Sequence, residues 1–122
     1  MRTIFCVVFL IFLVSFVRAD DRRLTAAEIA GMLTGNTAVG EYRGKAFRQY
    51  FHNDGSTTFR RQGEGADIGK WRTTENDDYC AWWARNGWSC YWMSRDGDTV
   101  TWHFEDKVAY PATIVPGEQM EF

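Results

Sequence analysis

A chain of 122 residues, 45% hydrophobic and with a formal charge of −2, is long enough for one small domain and too short for two ordinary ones. That charge gives no general attraction for nucleic acid or anionic lipid. Three cysteines and two histidines are poor material for a metal centre, and no cofactor is expected.

The chain begins as an export signal does. Arg2 supplies a charged start, and Ile4 to Val17 form an apolar run of about 14 residues, inside the range of a signal-peptide h-region and short of a membrane span. Val17-Arg18-Ala19 offers small residues before a cleavage point. Residues 1–19 are read as a removable leader, and 20–122 as a single small domain in the periplasm or outside the cell, with no stable membrane span. Loss of Arg2 and Arg18 leaves 12 basic against 16 acidic side chains, a formal charge of −4. Nucleic acid is not an expected partner; an unidentified small molecule or an envelope protein is.

Leu24-Thr25-Ala26-Ala27-Glu28-Ile29 carries two helix-start signals. Thr25 and Glu28 have capping-box spacing, and Leu24 and Ile29 stand where a hydrophobic staple requires. A short helix over 26–33 follows, stopped by Gly35. Its apolar residues Ile29, Met32 and Leu33 suit docking on a sheet or closing the end of a barrel.

From Thr37 onward, alternation replaces helical spacing and turn residues recur every few positions. The predicted strands are Ala38–Tyr42, Ala46–His52, Thr57–Gln62, Ile68–Thr74, Tyr79–Trp83, Trp88–Ser94, Thr99–Glu105 and Val108–Val115. Pro111 marks the last as an edge or bulged strand. The fold class is all-β, mainly antiparallel: an eight-stranded meander, a closed or partly open barrel with one short N-terminal helix.

Three hairpins define faces. A three-residue loop Asn53-Asp54-Gly55 pairs Phe51 with Thr57 and Phe47 with Arg61, which puts Phe47, Phe51 and Phe59 in the core and Arg48, Tyr50, His52 and Arg60 on the other side. Arg60 and Arg61 therefore diverge. Asp96-Gly97 as a two-residue turn pairs Met93 with Val100, Tyr91 with Trp102 and Ser89 with Phe104. Between them, Asn86-Gly87 alone favours a register that leaves Cys80 and Cys90 about 10 Å apart, too far for the bond that two cysteines in an exported chain most simply make. Pairing Cys80 directly with Cys90 sets Trp82 against Trp88 and leaves Ala84-Arg85-Asn86 at the tip. A metal reading of the two cysteines lacks partners.

The outcome is a two-sided element. Trp83, Tyr91, Met93, Trp102 and Phe104 share one face; Cys80, Trp82, Trp88, Cys90, Trp92 and His103 share the other, and a single small core cannot bury both. Trp71, Trp83 and Trp102 are assigned to the core. The row Trp82, Trp88, Trp92 is either a cross-strand brace beside the disulfide or a recognition surface. No nucleophile elbow, zinc-binding helix motif or phosphate-cradling loop occurs, and no catalytic residue is assigned.

Leu33-Thr34-Gly35-Asn36-Thr37, Tyr50-Phe51 before Asp54-Gly55-Ser56, Gly69-Lys70-Trp71, Tyr79-Cys80 with Trp83, and Cys90 together resemble a family of small exported proteobacterial proteins that form a domain of unknown function. The resemblance spans nearly all of the mature chain. It implies an extracytoplasmic setting and carries over no catalytic residues.

The leading expectation is a non-enzymatic binding or interaction module using Arg48, Tyr50, His52, Arg60, Trp82, Trp88, Trp92 and His103. One alternative is a small hydrolase or isomerase working through His103 or His52 with a neighbouring acid. The other is a structural envelope or stress protein without a specific ligand.

Overall fold

The computed structural model describes residues 23–122; the expected leader at 1–19 lies outside the described residues. Helix α1 (Ala26–Leu33) precedes eight strands: β1 (Asn36–Tyr42), β2 (Lys45–Phe51), β3 (Ser56–Arg61), β4 (Asp67–Thr73), β5 (Tyr79–Trp83), β6 (Gly87–Asp96), β7 (Thr99–Phe104) and β8 (Lys107–Pro116). Each pairs antiparallel with its neighbour in sequence, and β8 returns to β1 to close the barrel. Among the described residues no helix is long and apolar enough to cross a membrane.

The helix starts as its sequence requires. Thr25 Oγ1 accepts the Glu28 N–H at 3.2 Å, and Glu28 Oε1 accepts the Thr25 N–H at 3.3 Å, which satisfies two of the free donors at the helix start. The turn between β4 and β5 completes the docking. Asp77 Oδ1 accepts the Ala26 N–H at 2.8 Å, and Asp78 Oδ1 pairs with Arg23 Nη2 at 2.6 Å. Ile29 and Leu33 are fully buried and plug the end of the barrel where β1 begins, with Leu24 held by its N–H on Met93 O at 2.8 Å. Above the plug lie Phe51, Trp71, Met93, Val100 and Trp102.

Two of the three hairpins take the expected registers. Phe51 faces Thr57 and Phe47 faces Arg61 across the β2–β3 loop, whose Asp54 carboxylate accepts both the Ser56 N–H and hydroxyl. Cys80 faces Cys90 and Trp82 faces Trp88 across β5–β6, and the sulfurs are bonded at 2.04 Å.

The β6–β7 register differs from expectation. Met93 faces Trp102 and Asp96 faces Thr99, so the loop is Gly97-Asp98, not Asp96-Gly97. Gly97 sits at φ +57°, which suits a turn with glycine at its first central position. The slip is two residues, so every side chain keeps its face. Strand β8 is bulged, not an edge: its pairing shifts by one residue between Trp102 and His103, and closure leaves no edge for Pro111 to occupy.

The Cys80–Cys90 bond ties two strands already in register. Its gain lies in the unfolded chain, where it closes a short loop. Replacing both cysteines by alanine is expected to lower unfolding free energy by about 2–3 kcal/mol, measured by urea denaturation, with the barrel still formed.

Candidate functional site

Alternation divides the sequence-predicted surface from the interior. Arg48, Tyr50, His52 and Arg60 lie on the outer wall of β2 and β3, where Arg48 faces Arg60 directly. Trp82, Trp88, Trp92 and His103 lie on the outer wall of β5–β7, so β4 separates the two groups.

Both groups are engaged with the chain itself. The Phe122 ring lies 5.6 Å from the Arg48 guanidinium and 5.4 Å from that of Arg60, and Arg48 Nη1 donates to Gln119 O at 2.8 Å. Tyr50 packs edge-on to His52, whose Nε2 is 3.0 Å from the Thr58 hydroxyl. On the other side each indole has a cationic or ring partner: Lys70 over Trp82 at 5.0 Å, Arg72 over Trp88 at 4.1 Å, and His103 stacked on Trp92 at 3.7 Å. His103 Nε2 also lies 2.7 Å from the Ser94 hydroxyl, and partial burial lowers the imidazole's pKa. The disulfide face is thus a laced outer wall. Helix α1 sits at the barrel end, and Trp88 stays 41% exposed.

The concave site lies elsewhere. At the end opposite the helix the barrel opens into a cavity of about 880 Å³, and none of the eight expected residues lines it. Its walls are inward side chains of the strands: Tyr42, Phe47, Phe59, Tyr79, Trp83, Tyr91 and Tyr110. These rings meet edge-to-face or stacked, Tyr42 on Phe59 at 6.3 Å, Phe47 on Phe59 at 5.5 Å and on Tyr110 at 5.7 Å, and Phe59 on Trp83 at 6.1 Å.

Polar groups lie at two depths, one among the rings and the others around the mouth. Gln49 is buried among the rings and its amide nitrogen lies 3.1 Å from Thr57 Oγ1 and 3.4 Å from Tyr79 Oη. Arg61 enters from the last position of β3, and Arg43, Glu64, Asp67 and Arg85 stand around the rim. Burial pushes the phenols of Tyr79, Tyr91 and Tyr110 above their ordinary value, so all three are neutral donors at physiological pH. Among the described residues no three His, Cys, Asp or Glu side chains converge as metal ligands would.

No family model matches the chain, and no curated protein or solved structure matches it either. The site is therefore read from its chemistry alone. The sequence reading did not find this cavity; the signal that could have found it is two inward polar residues, Gln49 between Phe47 and Phe51 and Arg61 two positions after Phe59, because an all-apolar core has no use for either at those positions.

Proposed function

We propose that the protein is a binding module that holds one small, flat, largely apolar molecule in the open end of its barrel. The observation that carries this reading is the pairing of a helix-plugged end with an aromatic-lined cavity at the other. An eight-stranded barrel is about wide enough either to fill itself with side chains or to hold a single small ligand, and aromatic walls below a ring of convergent polar groups can both bury and orient one. An exported setting goes with it. The Cys80–Cys90 bond supports an oxidising compartment, as do the expected leader and the resemblance to small exported proteobacterial proteins.

Titration with indole, followed by amide shifts in two-dimensional NMR, tests the proposal. The shifts are expected to concentrate at Phe47, Phe59, Tyr91 and Tyr110. Ala81→Phe, which adds a ring to the cavity wall, is expected to weaken binding about tenfold or more, whereas Trp88→Ala on the outer wall leaves it unchanged. Shifts confined to Trp82, Trp88 and Trp92, or none at all, would overturn it.

A further inference from the structure

Arg61 is not committed in the way a structural arginine is. Its Nη1 donates to Glu64 Oε1 at 3.5 Å and its Nη2 to the Arg43 carbonyl at 3.3 Å, both long for charge-assisted bonds. Glu64 is shared, since Lys45 Nζ reaches the same oxygen at 3.3 Å. Arg61 Nε is buried and has no hydrogen-bond partner among the described residues. A buried donor on a charged group left unpaired is costly, and this one belongs to a side chain lining the cavity.

We propose that the cavity recognises a small aromatic monoanion, its carboxylate taken by the Nε edge of Arg61 and its ring laid against the partly exposed rings of Tyr42, Phe59 and Trp83. This deepens the preceding reading and rests on it. A carboxylate matches the guanidinium fork with two parallel bonds. To present that edge the guanidinium must give up its contacts with Glu64 and the Arg43 carbonyl, and the two bonds to the carboxylate replace them. The ring preference follows from the walls: the three aromatic side chains offer edges and faces to a planar partner, and Tyr42 already flanks the Arg61 guanidinium at 5.8 Å. A single charge is favoured over two because Glu64 and Asp67 stand on the rim and oppose a second.

Phenylacetate and phenylacetamide separate the parts of this proposal, since they share a ring and differ in charge. Each is titrated into the full chain by NMR, with the Arg61 Nε–H resonance followed directly. The acid is expected to bind about ten- to a hundredfold more tightly than the amide, the range of a charge-assisted hydrogen bond, and to shift that resonance strongly. Arg61→Gln is expected to erase the difference while keeping the amide's binding, which doubles as its folding control. Equal affinity of the two probes at the mouth, or an unmoved Nε–H resonance in the wild type, overturns the anion proposal and leaves the cavity as a binding site. Absence of any shift at the mouth with either probe, up to about 10 mM, overturns both.

Discussion

Trp102→Ala is expected to cost about 3–5 kcal/mol, a large share of the roughly 5–15 kcal/mol that holds a domain of this size folded. Trp102 is fully buried and central: it stacks on Tyr110 at 5.0 Å, lies parallel to Phe51 at 6.5 Å and meets Tyr79 edge-on at 5.9 Å. Removing the indole leaves a void whose walls are strand side chains fixed by ladders on both sides, so collapse is limited. Trp102→Phe should cost less, under about 1.5 kcal/mol, because the indole N–H has no hydrogen-bond partner among the described residues to lose. Urea unfolding midpoints of the two variants measure the contrast. Similar losses would mean that the nitrogen, not the packing, matters.

Gly69→Ala is expected to destabilise the barrel by about 1–3 kcal/mol, the range of overpacking, and to disturb the cavity as well. A Cβ at position 69 collides with the Trp82 carbonyl oxygen of β5 and comes within 2.7 Å of the Trp83 ring. Since one obstacle is backbone, rotamer adjustment alone gives no relief and β4 must move from β5. Glycine is needed here for room: the Trp83 indole lies where a side chain on β4 would stand. Urea unfolding together with the indole titration separates the two effects. A variant of unchanged stability and unchanged affinity would show that β4 and β5 part without cost.

Much of this arrangement is legible in the residues. Helix α1 announces itself through Thr25 and Glu28, and the β5–β6 register through the distance limit on Cys80 and Cys90, a constraint stronger than any turn preference. The β6–β7 loop escaped for a definite reason. Asp96-Gly97 and Gly97-Asp98 are both good turn dipeptides, and a two-residue slip preserves every face, so burial cannot choose between them. Asp77 and Asp78 sit in a turn, where acidic residues are ordinary, and only the docking of α1 reveals that they bind Ala26 and Arg23. The cavity was missed because alternation reports which side chains point inward and says nothing of whether they meet in the middle. Phe47, Phe59 and Trp83 read as core at either answer. Arg61, facing inward beside Phe59, is the residue that could have distinguished them.

The seam between β1 and β8 carries a consequence for how the chain reaches this structure. Thr37 lies across from Val115, and its hydroxyl donates to Gly117 O at 2.7 Å and accepts the Gln119 N–H at 3.0 Å. Every other ladder joins neighbours in sequence, so each hairpin can form alone and early, while this contact closes the longest loop in the fold and carries the largest entropy cost of closure. On this topology the seven local ladders are expected to form first and the β1–β8 seam last, when residues 113–119 arrive. Until that moment both β1 and β8 are bare edges, the state in which two copies could pair with one another instead. A seam that closes last would set the protein's own final strand in competition with a neighbour's.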